Sequence, residues 1–268
     1  MDLRQAIATV PAMMGLRAEH RWRWLVVSFL VGGGVGAAAA QWPAGPVALV
    51  IERFERKSPS WVSEREGEGA LFPVEVPRVT GGCGEEAKAA LNGALLRLVE
   101  MPHKDSGAPS LEVQASSWLE SWRGCRVEYP TSACVAQWWT RRKAKVLHNR
   151  GGLLSVQIAE NWYSGGNHSN YRTRIATFDV STGRRIDARD LLGAADRERL
   201  AEKVVQSVLE SGAPCIHQSL VQRTPVTDNV AVVEGGLLYS FDPYEISGFA
   251  QGVIQHVVPW SVLDELRP

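Results

Sequence analysis

The sequence predicts an α+β fold, a mainly antiparallel sheet with helices packed on one face, preceded by an N-terminal signal or anchor segment. Three observations carry that prediction. From residue 136 onward, much of the chain repeats apolar residues with the period of two that a half-buried strand needs. Residues 85–101 and 196–209 instead place them every three or four positions, as a helix with one buried stripe does. Short turns rich in Gly, Asn, Ser and Thr separate the strand-like runs, so that neighbours can pair antiparallel.

The first 40 residues stand apart. Arg17, Arg21 and Arg23 precede an apolar run, Trp24 to Val31, followed by glycines and then Ala37 to Ala40. Basic, apolar and small residues in that order describe an export signal cleaved after Ala40. Initiation at Met13 or Met14 gives that signal a conventional length. The competing expectation is an uncleaved membrane anchor over residues 24–40, a span that carries four glycines and is near the lower limit for crossing a bilayer. On either reading the remainder is periplasmic or secreted, with any membrane contact confined to this segment.

Residues 41–69 read as a linker or lead-in, with a short strand around Val47–Ile51, and residues 70–268 as the folded domain. Leu71–Val79 alternates around Pro73 and Pro77, which suggests an edge strand. Glu85–Met101 carries Ala87, Leu91, Ala94, Leu95 and Leu98 at helical spacing, with two glutamates in its first turn, and Pro102 ends it. Leu111–Trp122 is a second helix. Gln137–Leu147 and Leu153–Asn161 flank the turn Asn149-Arg150-Gly151-Gly152, and Arg172–Val180 follows as a third strand of the same meander. After the tight turn Ser181–Arg184 comes the helix Asp196–Leu209. The strands Val230–Val233, Leu237–Phe241 and Gly252–Val258 and a short helix, Ser261–Leu266, complete the chain.

Composition narrows the function classes. With 29 Lys+Arg against 29 Asp+Glu in 268 residues, the chain lacks the basic footprint of a nucleic-acid binder. Ten tryptophans are many, and the close pairs Trp118/Trp122 and Trp138/Trp139 read as core. Cys83, Cys125, Cys134 and Cys215 all fall in the exported part, where an even count suggests two disulfides. The preferred pairing is Cys125–Cys134 with Cys83–Cys215. No Cys-x-x-Cys spacing supports a metal, so neither a metal nor a cofactor is expected.

The most unusual segment is Tyr163-Ser164-Gly165-Gly166-Asn167-His168, a polar glycine loop between two strands. One reading is structural, with His168 bonded to neighbouring backbone. Another is a binding surface formed by Tyr163, Gly165, Gly166, Asn167, His168 and Tyr244. The third makes His168 a general base oriented by Asp179 and acting on Ser164, Ser169 or a water. The basic run Arg141-Arg142-Lys143-x-Lys145 reads as the solvated face of an edge strand, with an anion or polysaccharide contact as its alternative. Asp242-Pro243-Tyr244-Glu245 reads as a turn with a buried tyrosine.

Three segments together resemble a known domain. They are the glycine loop; Phe178-Asp179-Val180-Ser181-Thr182-Gly183-Arg184 with Ala188-Arg189-Asp190-Leu191-Leu192; and Gly236 to Ile246 followed by Gly252 and Val258-Pro259-Trp260. Their order and spacing resemble the extracytoplasmic domain of the RsiV-type anti-sigma factors, also similar to a region ahead of the catalytic module in some peptidoglycan deacetylases. The resemblance implies a non-catalytic envelope domain that recognises peptidoglycan or a lysozyme-like protein. Anti-sigma and deacetylase activities are not carried over. The alternatives are a cell-wall glycan hydrolase or deacylase using His168, and a structural envelope accessory protein.

Overall fold

The computed structural model describes residues 45–61, 68–100, 109–129, 137–187, 190–191, 197–212, 216, 221 and 227–264. The expected signal or anchor, Cys134 and Cys215 lie outside the described residues. Pro43–Pro268 forms one compact unit, and its architecture is α+β with mainly antiparallel sheets, as the sequence predicts.

Six strands, β1 (Ala48–Lys57), β2 (Ala70–Gly81), β3 (Trp138–Arg150), β4 (Leu153–Tyr163), β5 (Asn170–Asp179) and β6 (Arg185–Ile186), follow one another across the first sheet. Three more, β7 (Val230–Val233), β8 (Gly236–Phe241) and β9 (Ile254–Pro259), make a second sheet. The helices are α1 (Glu85–Glu100), α2 (Leu111–Glu128), α3 (Arg197–Glu210) and the single turn α4 (Trp260–Leu263). Within the described residues, no helix is long and apolar enough to cross a membrane.

Each sheet carries helices on one face and meets the other sheet with the opposite face. Leu154, Val156 and Ile158 of β4, with Ala176 and Phe178 of β5, pack against Leu91, Leu95 and Val99 of α1 and Ala115 of α2. Neighbouring residues point the other way, so Ile175 packs with Ala231 of β7 and Leu238 of β8. On the far side α3 and α4 pack on β8 and β9. All six residues of β8 are therefore buried, which explains its unbroken apolar reading. Gly236 is required there: a Cβ would come 2.0 Å from the carbonyl oxygen of Val258.

The two sheets are joined at the outer edge of β5. Beyond β6, which covers only Thr177 and Phe178, that edge lacks a neighbouring strand among the described residues. Side chains take the strand's place. Ile175 N–H donates to Asn229 Oδ1 at 2.8 Å, and Asn229 Nδ2 donates to the carbonyls of Thr173 (2.7 Å) and Ser240 (3.2 Å). Thr173 N–H donates to Asp242 Oδ1 at 2.9 Å, while Val232 N–H reaches Thr177 Oγ1 at 2.8 Å. Backbone groups that are half-buried at a sheet edge need such partners.

On the helical face, one row across β3, β4 and β5 is ionic. Arg142, Glu160 and Arg172 stand opposite one another in register. Arg142 Nε donates to Glu160 Oε1 at 2.7 Å and Arg172 Nε to Oε2 at 2.5 Å. Arg142 Nη1 also donates to the Val99 carbonyl at 3.0 Å, in the last turn of α1. Burial pushes the Glu160 carboxyl up, but the two guanidiniums outweigh it by charge and hydrogen bonding and hold it below the usual carboxylate range.

Four local expectations change. β2 is an interior strand, antiparallel to β1 and parallel to β3. Pro77 is accommodated because parallel pairing stops at Val74↔Arg142, and the Glu75 carboxylate then accepts from Ala144 N–H at 2.9 Å. Part of the expected lead-in is the ten-residue strand β1, whose charged second half conceals its period. The basic run lies on β3, between β2 and β4, so it is not an edge. Cys83 carries a free thiol, which overturns the Cys83–Cys215 bridge. It follows the Gly81-Gly82 break and packs against the main core, where burial raises its pKa while Lys88 lowers it less. Cys125 is disulfide-bonded.

Replacing Asn229 by Ala leaves Ile175 N–H without its partner and should cost about 3 kcal/mol, read as a lower urea midpoint at unchanged m. Glu160→Gln should cost about 3 kcal/mol at neutral pH by leaving Arg142 buried beside a neutral group. Because the folded pKa of Glu160 is lowered, its contribution is present above the unfolded value of about 4.3 and fades as pH falls through the folded one. The gap between wild type and Glu160→Gln should therefore shrink in urea melts below about pH 4.

Candidate functional site

β3, β4 and β5 are long, and past Ile175 their non-helical face extends beyond the core shared with β7 and β8. Pairing register lays out the side chains there in rows. Trp139 stands opposite Tyr163; Arg141, Asn161 and Tyr171 form the next row; Lys143, Ala159 and Thr173 the one after. Gly252 and Val253, leading into β9, rise over these rows and close one side of an open groove of about 470 Å³. The groove also borders Glu160 and Arg172, which are paired to each other.

Charge in the groove is uneven. The charged lining is Arg141, Lys143, Arg172 and Glu160, and Glu160 is offset by Arg142 and Arg172. Arg141 lies 5.0 Å from the Trp139 ring centroid. Lys143 is exposed and makes no ion pair among the described residues. The local balance is cationic although the whole chain carries no net charge. Alternation along β3 causes this: Arg142 turns into the buried ionic row, so Arg141 and Lys143 face outward together. The expectation of a solvated edge-strand face does not hold, because β3 is paired on both sides.

The glycine loop joins β4 to β5 at the Tyr163 end of these rows. Gly165 and Gly166 both take positive φ, 88° and 96°, and Tyr163 O–H donates to the Gly166 carbonyl at 2.9 Å, closing the turn. Tyr163 stacks on Trp139, centroids 6.4 Å apart. His168 Nδ1 lies 3.1 Å from the carbonyl oxygen of its neighbour Ser169. Asn167 and His168 are exposed.

Phe249 gathers the remaining aromatics, and sequence reasoning missed it. It begins a single 3₁₀ turn, Phe249–Gln251, between Gly248 and Gly252. Tyr171 stacks on its ring at 5.0 Å, and His168 and Tyr244 pack tilted against it at 4.1 Å and 5.8 Å. Tyr171 O–H donates to the Phe249 carbonyl at 2.8 Å. The signal was an aromatic residue between two glycines just before the last strand. The expected site residues are thus divided, with Tyr163 against Trp139 and His168 and Tyr244 against Phe249.

Tyr244 is 69% exposed, so the expected buried tyrosine is corrected. The turn itself is present: Asp242 N–H donates to Glu245 Oε2 at 2.7 Å. The turn holds Tyr244 at φ 70°, the one non-glycine residue at positive φ among those described. Such a conformation costs a bulky residue on the order of 1 kcal/mol or more.

The expected pairing of His168 with Asp179 does not form. Asp179 is at the opposite end of β5, roughly 30 Å away at about 3.3 Å per residue, and accepts from Ser181 N–H, Ser181 Oγ and Thr182 N–H. It is a turn residue. Among the described residues, no group of three or more His, Cys, Asp or Glu side chains is placed to hold a metal ion.

Residues 197–261 match the model of a family described as "Protein of unknown function (DUF3298)". That match spans α3, the second sheet and the Phe249 turn. It includes Asn229, Asp242 and Tyr244 and leaves out the glycine loop. The structure is similar to that of a DUF3298 family member from Bacteroides fragilis, with a TM-score of 0.64 and 14% identity, covering 83% of this chain and 94% of that one. It is also similar to a DUF3298 family protein from Pseudomonas aeruginosa, with a TM-score of 0.59 and 17% identity, covering 84% and 99%. At these identities the likeness is one of fold. No curated protein matches the chain.

Tyr244→Gly should raise the unfolding free energy by about 1 kcal/mol through relief of the positive φ. Thermal unfolding would register the gain, and an unchanged or lower midpoint would mean the turn stores no strain.

Proposed function

We propose that this chain is an exported, non-catalytic binding domain of the bacterial envelope whose groove takes an anionic glycan, peptidoglycan being the expected ligand. One observation carries the reading. Two outward cations, Arg141 and Lys143, share an open groove with Asn161 and the ring of Tyr171, and the stacked Trp139–Tyr163 pair stands in the next row of the same face. A glycan presents flat C–H faces and many hydroxyls; aromatic planes and an amide suit both. The carboxylates of its peptide stems suit the guanidinium and ammonium groups. Openness of the groove suits a polymer passing through it. Export of the domain, to the periplasm or beyond, rests on the order of basic, apolar and small residues in the first 40 positions.

A lysozyme-like protein is the second reading, favoured by Tyr244. An exposed aromatic side chain on a stacked base is the kind of anchor that dominates protein interfaces. The hydrolase alternative is not carried forward, because His168 lacks the carboxylate that was to orient it.

Sedimentation with insoluble peptidoglycan tests the first reading. The double variant Arg141→Ala/Lys143→Ala should bind at least about tenfold more weakly, with an unchanged melting temperature and a weaker salt dependence. Retention of binding by that variant would refute the groove. Binding to immobilised lysozyme that is lost in Tyr244→Ala and kept in the double variant would establish the second reading instead.

A further inference from the structure

β1 is the outermost strand of the first sheet, and among the described residues its one strand neighbour is β2. Alternate N–H and C=O groups along its ten residues therefore face away from the sheet. Edge strands are commonly blunted by proline or by charges of one sign, which repel a second copy. β1 has no proline, and its five charges, Glu52, Arg53, Glu55, Arg56 and Lys57, are of both signs. The strand contains Glu52-Arg53-Phe54-Glu55-Arg56. About Phe54 the charges are antisymmetric: negative and positive on one side are answered by negative and positive on the other, so that equal distances from Phe54 carry opposite signs.

That antisymmetry has a specific consequence. Two copies of an edge strand related by a two-fold axis perpendicular to the sheet pair antiparallel, and each residue keeps its own face. The allowed registers place one residue opposite itself. With Phe54 on the axis, Arg53 faces Glu55 of the second copy and Glu52 faces its Arg56. Four opposite-charge cross-strand pairs result, flanking a Phe54–Phe54 contact. Centring on Arg53 or Glu55 instead sets like charges against each other on the axis. Charge thus selects one register out of the neighbouring ones.

We propose that this chain self-associates through β1, as an antiparallel two-fold dimer centred on Phe54 that joins the six-stranded sheets of two copies edge to edge. The side chains are available for it. The Arg53 side chain is 68% exposed and is held by Glu55 of its own strand at 2.6 Å. Glu52 and Arg56 are about half exposed; Glu52 pairs with Arg78 at 3.2 Å, and Arg56 pairs with Glu112 at 2.5 Å, donates to the Glu55 carbonyl and lies 5.0 Å from the Phe54 ring centroid. Surface pairs of that kind exchange partners at little cost. In this register Ile51 faces Lys57 of the second copy, so the complementary stretch runs from Glu52 to Arg56. The interface is narrow, so affinity in the micromolar range is expected rather than a permanent dimer.

Sedimentation equilibrium of the purified protein, with two single variants, tests both the dimer and its register. Wild type should show a reversible monomer–dimer equilibrium. Arg53→Glu sets a carboxylate against Glu55 of the second copy, and Glu55→Arg sets a guanidinium against its Arg53; each substitution alone should weaken association by about tenfold or more. An equimolar mixture of the two variants restores two opposite-charge pairs and should dimerise like wild type, with circular dichroism confirming that both are folded. A wild type that stays monomeric at about 100 μM, well above the expected dissociation constant, or a dimer indifferent to both variants, overturns the proposal. Failure of the mixture to associate where wild type does overturns the register and with it the argument.

Discussion

The outer edge of β5 is the point on which the two sheets depend. A strand there would have met the backbone of residues 173 to 175 with a ladder of its own. In its place stand Asn229, just ahead of β7, and Asp242, just after β8. A side-chain amide carries two N–H donors and an acceptor oxygen, so Asn229 can answer an N–H and two carbonyls at once. Because these side chains are fixed to the ends of the second sheet, satisfying the edge also sets where that sheet sits. It meets the non-helical face at Ile175 and leaves the far part of β3, β4 and β5 uncovered. The groove is the uncovered part.

The same alternation that builds the sheet divides the basic run of β3 between two tasks. Arg142 goes inward, where Glu160 and Arg172 complete a row and the Val99 carbonyl ties it to α1. A buried charge row of this kind adds little net stability compared with well-packed apolar residues, but losing one member is costly. Its effect is to fix the register of three strands. Arg141 and Lys143, one residue away on either side, are thereby committed to the opposite face and to the groove. Structure and site are set by one constraint, and a one-residue slip in β3 would exchange them.

The aromatic residues near the groove come from two distant parts of the chain. Tyr163, His168 and Tyr171 belong to the β4–β5 connection; Tyr244 and Phe249 belong to the segment between β8 and β9. The matched family segment supplies only the second set. The glycine loop, which looked like a self-contained motif, is half of a composite surface whose organising ring is Phe249. Its histidine is held by packing on that ring and by backbone contact, and the carboxylate meant to activate it closes a turn at the other end of the strand.

Much of the fold could be read from the sequence, because strand and helix periods are local properties. The three long helices, the β3–β4–β5 meander and the short strands β7 and β8 lie where periodicity and turn residues place them. What the sequence misread shares one cause. Whether β2 and β3 are edges, whether Cys83 has a partner, and whether Tyr244 is buried depend on neighbours dozens of residues away. Asn229 and Ile175 are 54 residues apart, yet their bond helps set the position of a whole sheet. The sequence by itself determined the elements and their faces. The order of strands and the layering of two sheets, and with them the groove, were decided only in the tertiary structure, where edge backbone groups had to find partners that no local pattern announces.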